Sequence, residues 1–210
     1  TITEKILARA SDKKSVKPDD VVIANIDKVM IHDVSGPGVI KVFSEWEKKG
    51  IILDHIWNPD RVWVSEDHFV PASDRISANN ITLLTNWTTK YNIKKHFKYG
   101  LGQYGICHTL SHEEGLVLPG EIYVGGDSHT NTTGAMGSLA VGLGHTDIAY
   151  VLMNGKIWFK VPETILFQIN GHKPEYIMAK DIILKIIGDI GTDGFDHASA
   201  SRAGGNYFIA

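Results

Sequence analysis

Apolar positions along the chain follow two rhythms. Behind Pro37-Gly38, Val39, Val42, Phe43 and Trp46 recur at helical spacing, which predicts a helix over about 38–48 with one face turned inward and Gly50 as its stop. Ile81, Leu84, Trp87 and Tyr91 lie about one turn apart among polar neighbours and predict a longer amphipathic helix from Asp74 to Lys95. The second rhythm is one of short β-rich runs, at 21–24, 51–53, 62–64, 122–124 and 165–167, most of them too brief for buried helices. A further helix is expected at 181–187, with Gly188 and Gly191 as stop signals. Strands alternating with helices predict a layered α/β domain. After Gly194 the chain runs small and polar without an apolar period, so 195–210 reads as an irregular tail or the start of a further segment.

Composition narrows the function more than the fold. With 210 residues, 43% hydrophobic and 21% charged, the chain lies in the ordinary globular range, and one large domain is expected. Its 21 basic and 24 acidic residues give a net charge of -3, which argues against nucleic acid or an anionic membrane surface as partner. No apolar stretch approaches the roughly 20 residues of a bilayer span. The single cysteine, Cys107, excludes an internal disulfide framework and suits a reducing compartment, so a cytoplasmic location is expected.

The most informative block is Gly125-Gly126-Asp127-Ser128-His129-Thr130, directly behind the expected strand at 122–124. Ligands of open α/β sheets bind beyond the carboxyl ends of strands, and glycine admits close approach there. A helix starting after Thr133 would offer free amides to a substrate carboxylate. The plainer alternative is that Asp127 and Ser128 cap that helix and His129 is a surface histidine. Asp, Ser and His in direct succession make no hydrolytic triad, whose members converge from separate segments. Gly105-Ile106-Cys107-His108 reads as a strand end, so Cys107 and His108 should point to opposite faces, with Cys107 a small buried hydrophobe. In Glu66-Asp67-His68 an acidic residue beside histidine suits a general acid. In His32-Asp33-Val34-Ser35, Asp33 or Ser35 is as good a helix cap as a ligand. His108 and His112 are four apart, but 111–115 looks like a turn start, and no metal site is expected in this chain.

Taken in order, His32-Asp33, Asp67-His68-Phe69-Val70-Pro71, Gly105-Ile106-Cys107-His108, Gly115-Leu116-Val117-Leu118-Pro119-Gly120 and Gly126-Asp127-Ser128-His129-Thr130 resemble the aconitase family. Gly134-Ala135-Met136-Gly137 and Val161-Pro162-Glu163-Thr164 extend the resemblance to about 1–194. It implies a three-layer α/β/α amino-terminal domain and the dehydration and rehydration of a hydroxy-polycarboxylic acid with a [4Fe-4S] cluster. By position, Asp67-His68 resembles the pair that assists departure of hydroxide, and His108 with Asp127 a second charge-coupled pair. His129 resembles an active-site residue of the family, while Ser128 and His32 stand where it contacts substrate. The family's three cluster cysteines, its serine base and its carboxylate-binding arginines lie beyond the matched region, and Cys107 is not at a ligand position. Short spacing between Asp67 and Asp127 resembles the two-subunit branch, which implies the rest of a large subunit and a small subunit as partners. A binding or assembly domain that keeps the fold without activity is the competing expectation. Beyond Gly194 the sequence departs from the family's usual continuation.

Overall fold

The computed structural model describes residues 1–51 and 54–190, and its elements follow in chain order. Helix α1 (Ile2–Ala10) opens on a capping box in which the Thr1 side chain accepts the Glu4 amide and the Glu4 carboxylate answers the Thr1 nitrogen. After it come β1 (Val21–Asn25), β2 (Lys28–His32), α2 (Ser35–Lys48), β3 (Val62–Ser65), α3 (Arg75–Lys90) and β4 (Lys95–Phe97). The chain continues with α4 (Cys107–Glu113), β5 (Ile122–Gly125), β6 (Leu139–Gly142), α5 (His145–Asn154), β7 (Lys156–Lys160) and α6 (Ala179–Ile190). None of the described helices is long and apolar enough to cross a membrane.

Five parallel strands form the central sheet in the order β4-β3-β2-β5-β6, while β1 and β7 pair antiparallel in a separate ribbon. Successive side chains alternate between the faces of the sheet. Val29, Ile31, Val62, Val64, Ile122, Val124, Leu139 and Val141 pack with Leu7, Val39, Phe43, Leu84 and Ile148, from α1, α2, α3 and α5. Met30, Trp63, Tyr123 and Ala140 pack on the other face with Cys107 and Leu110 of α4 and with Leu116 and Val117. Helices thus flank both faces, as expected of three α/β/α layers. Burial on both sides is why the strands read as short continuous apolar runs.

Topology fixes where a site can form. From β2 the chain steps outward through β3 to β4, then returns to place β5 and β6 on the other side of β2. The winding reverses between β2 and β5, and crevices open at such points beyond the carboxyl ends of the strands.

Several expectations need correction. The long second helix stops at Lys90, because Asn92 takes a left-handed φ of 54° and the chain turns into the edge strand β4. The run 165–167 forms no strand: Pro162 follows the end of β7, and Ile165 and Leu166 are exposed without a pairing partner among the described residues. No helix starts behind Thr133; a 3-10 turn spans Thr130–Met136 and closes on Gly137 at a φ of 78°. The helix expected at 181–187 lies within α6. Residues 52 and 53 of the expected strand at 51–53, and the 195–210 segment, lie outside the described residues.

Candidate active site

The carboxyl ends of β2, β3 and β5 bring their polar residues to the reversal point. His32 ends β2, Asp67 and His68 follow β3 by two and three residues, and Asp127 follows β5 by two. The last strand's loop must pass close against its neighbours. A Cβ on Gly126 would lie 2.7 Å from both Cβ and Oγ of Ser35, and one on Gly142 would strike the Asp127 carbonyl oxygen. Glycine thus lets the Ser35 side chain approach at 126 and the Asp127 backbone at 142.

Asp127 is the hub. Its Oδ2 lies 3.0 Å from Nε2 of His108 and accepts the His129 amide at 2.6 Å, and its Oδ1 lies 3.5 Å from Nε2 of His32 and 4.0 Å from Nε2 of His68. Burial opposes ionisation of this carboxyl, but the His129 amide and the neighbouring His108 and His32 rings hold it below the ordinary carboxylate range. His32 is 2% exposed, and its Nδ1 accepts the amides of Val34 at 3.1 Å and Ser35 at 3.3 Å. That places the ring proton on Nε2, which lacks a hydrogen-bond partner and faces Asp127. Burial, then the adjacent His68, lowers the pKa of His32 and favours the neutral ring. The two imidazoles stack with centroids 4.3 Å apart.

Asp67 and His68 form the second pair, with Oδ1 to Nδ1 at 2.8 Å. Asp67 is almost buried and its Oδ2 accepts the Cys107 amide at 2.6 Å, while the His68 side chain remains 39% exposed. Fixing Nδ1 on a carboxylate leaves Nε2 of His68 on the Asp127 side of a ring that is still partly exposed. Ser128 and His129 stand at the exposed lip, with Nδ1 of His129 3.5 Å from Asp127 and 3.4 Å from the Ser128 hydroxyl.

All seven residues singled out in the sequence, His32, Asp67, His68, His108, Asp127, Ser128 and His129, thus come to one edge of the sheet. The local reading around Cys107 was incorrect, since Cys107–Glu113 is a helix rather than a strand end, and 111–113 continues that helix instead of starting a turn. Cys107 and His108 still part company, now by helical rotation: Cys107 is buried in the core, and burial, then Asp67, pushes its thiol far above the usual range. The sequence alone offers Asp33 as a cap or a ligand. Helix α2 has no side-chain cap, and Asp33 instead accepts the His68 and Phe69 amides. The adjacent acid Glu66 points away, to His96 under α3, at 2.9 Å.

Among the described residues, two groups bring ligand-type atoms within 4.8 Å of one another, His32 with Asp33 and His68, and His108 with Asp127 and His129. In the first, backbone amides already occupy the Asp33 carboxylate and Nδ1 of His32. In the second, His108 and Asp127 bond to each other. The donors are imidazoles and carboxylates, and the single cysteine is a buried thiol, so these residues do not themselves hold an iron-sulfur cluster.

Comparison with known proteins gives the site its context. The sequence profile described as "Aconitase family (aconitate hydratase)" matches residues 4–199. A protein of Heliobacterium modesticaldum named 3-isopropylmalate dehydratase large subunit is 45% identical over 204 residues, covering 97% of this chain and 47% of its own length. A probable 3-isopropylmalate dehydratase large subunit of Methanothermobacter thermautotrophicus is 41% identical with the same coverages. The chloroplastic 3-isopropylmalate dehydratase large subunit of Arabidopsis thaliana is 39% identical over 213 residues, 97% of this chain and 41% of its own length. The chain spans about half the length of the curated relatives it matches. With one profile running through the whole sheet and every strand-end loop of the site, the chain belongs to the aconitase family.

Proposed function

We propose that this chain supplies the proton-handling wall of a hydro-lyase active site, that of a 3-isopropylmalate dehydratase large subunit, with the remainder of that subunit and a small subunit completing it. The observation that carries this reading is the meeting of two carboxylate–histidine pairs at the reversal point, Asp67–His68 at 2.8 Å and Asp127–His108 at 3.0 Å. The names of the relatives, which belong to those proteins, supply the substrate.

In such a reaction the substrate hydroxyl leaves with its bonding electron pair, takes up a proton and departs as water, while the neighbouring carbon gives a proton to a base and a double bond forms. Hydration then returns H and OH to the opposite carbons. His68, with Nδ1 held by Asp67, is placed to deliver the proton to the departing hydroxyl from Nε2, and Asp67 stabilises the charged ring. Asp127 and His108 form a second relay beside that path, and the Nε2–H of His32, closed off from solvent and aimed at Asp127, steadies that carboxylate behind the substrate. His129 and Ser128 at the lip suit a substrate carboxylate. The base for the C–H proton and the arginines for the carboxylates are expected outside this chain. When bound there on its own cysteines, a [4Fe-4S] cluster supplies a Lewis-acidic iron that polarises the hydroxyl.

The test is the complete large subunit, produced anaerobically with its small subunit and assayed on 3-isopropylmalate and on homocitrate. Replacing His68 by Asn should lower kcat by about 10²–10⁴, the span of general acid catalysis. Turnover of homocitrate alone would move the assignment to homoaconitase. An assembled, iron-free protein inactive on both would favour a binding domain.

A further inference from the structure

Asp33 is wholly buried, at 0% exposure, yet the proton path described above passes through His68 and Asp127 and leaves Asp33 without a part. A carboxylate is taken out of water only at considerable cost unless its oxygens are satisfied. Here they are, and by one loop. Oδ1 and Oδ2 accept the His68 amide at 3.1 and 3.2 Å, and Oδ2 accepts the Phe69 amide at 2.6 Å. The Asp33 amide in turn donates to the Ser65 carbonyl at 3.2 Å, prolonging the β2–β3 pairing by one residue. The loop behind β3 is therefore tied down on the end of β2, the strand that borders the reversal point.

We propose that Asp33 is a positioning residue for the dehydration step: by accepting the His68 and Phe69 amides it sets the height and orientation of the Asp67–His68 pair against Asp127. The inference rests on the functional reading above, since it acts through His68. Two further contacts make the position consequential. The His68 ring stacks on His32 at 4.3 Å, and His32 is itself fixed by two amides of the turn that follows Asp33. Oδ1 of Asp33 also lies 3.8 Å from Nδ1 of His68, so its charge adds to that of Asp67 on the same side of the ring, with Asp127 on the other. Loss of the Asp33 anchor frees the loop at His68 and Phe69 while the Asp67 anchor on the Cys107 amide remains. The expected failure is geometric: substrate still binds, and the proton donor is displaced from it. Displacements on the order of 1 Å at a reacting group lower rates by roughly 10²-fold.

The experiment compares Asp33→Asn, Asp33→Glu and Asp67→Asn in the complete large subunit with its small subunit, reading kcat, KM, thermal midpoint and iron content. Asp33→Asn should lower kcat by about 30-fold or more with KM within about 3-fold and iron content unchanged. Asp33→Glu, which keeps a charged acceptor for the amides, should recover most of that loss. An Asp33→Asn enzyme with wild-type kcat, or one whose loss is entirely in KM, overturns the proposal. Asp67→Asn separates the two readings. If it is inactive while Asp33→Asn is not, the positioning role alone fails; if it retains wild-type kcat, the functional reading has failed and the positioning role with it. Should Asp33→Asn not fold, Asp33→Ser, smaller and carrying one acceptor, is read by the same criteria.

Discussion

Two acid–histidine pairs leave the end of β3 one residue apart. Glu66 faces α3, where its carboxylate meets Nε2 of His96 at 2.9 Å and accepts the Tyr99 amide at 3.0 Å, with both side chains at most 5% exposed. Asp67 faces α4, and its partner His68 keeps an open edge toward the crevice. The chemical groups match, and only the alternation of an extended chain separates them. The first pair has all its strong contacts within the protein, including Nδ1 of His96 on the Thr88 hydroxyl at 3.0 Å. The second spends one nitrogen of its histidine on a carboxylate and leaves the other directed at solvent and at Asp127. The same pairing of acid and histidine is thus closed on itself under α3 and left partly exposed beside Asp127, and on the function proposed here only the open pair handles protons.

The strongest way to sharpen that contrast is to remove the charge on which the open pair converges. Asp127→Asn should lower kcat of the assembled enzyme by about 10³, because His32, His68, His108 and His129 all lie near that carboxylate. Thermal stability should change little, since Asp127 borders the crevice. The closed pair should behave in the opposite sense. Glu66→Gln leaves the buried His96 without its anion and should cost about 3 kcal/mol of unfolding free energy, with kcat of the folded fraction within about 3-fold of wild type. Denaturant unfolding beside steady-state assays reads both. If Glu66→Gln lost its activity with an unchanged unfolding midpoint, the two pairs would not differ in kind.

How legible this was in the sequence depended on what each residue needed. Val39 to Trp46 and Ile81 to Tyr91 announce helices because one buried face imposes a period, and the strand-end loops could be placed from the glycines and polar residues behind 122–124. The edge strand β4 has three residues and little apolar character, and β6, Leu139–Gly142, is built of mostly small residues, so neither carries a periodic signal. Helix α4 is not legible in the sequence, because seven residues beginning at a cysteine are too few for helical spacing to show. The partner of each histidine was the least legible feature. Glu66 and Asp67 flank the same question in the sequence, and the answer lies in His96, 30 positions downstream, which reaches Glu66 only once β4 pairs with β3. Asp33 was likewise ambiguous, since an acid just before a helix looks like a cap until the loop from β3 is laid against it.

A smaller effect tests whether the open pair depends on the close packing of its loop. In Gly126→Ala the new methyl group meets Ser35, whose Oγ accepts the His32 amide at 3.1 Å, so the turn that fixes His32 must shift. The expected cost is about 1–3 kcal/mol of stability for overpacking, together with a drop of roughly 10-fold in kcat. A variant crystal structure with His32 and Asp127 unmoved and full activity would show that the loop tolerates the intrusion.

The mildest prediction concerns acid. Burial opposes ionisation of Glu66, but its bond to His96 and the Tyr99 amide outweigh that and hold its pKa below the ordinary glutamate value. A carboxyl lowered in the folded state binds its proton more readily when unfolded, so its stabilising contribution is fully present above the unfolded pKa, near 4.5, and is lost as pH falls through the lower folded value. Wild-type protein should therefore lose stability below about pH 4.5, and Glu66→Gln, which has no proton to gain there, should lose less. The gap between the two unfolding free energies narrows as the pH falls. A gap that stayed constant from pH 6 to pH 3 would mean that the carboxylate charge contributes nothing to holding β3 and β4 together, and that the closed pair is held by packing instead.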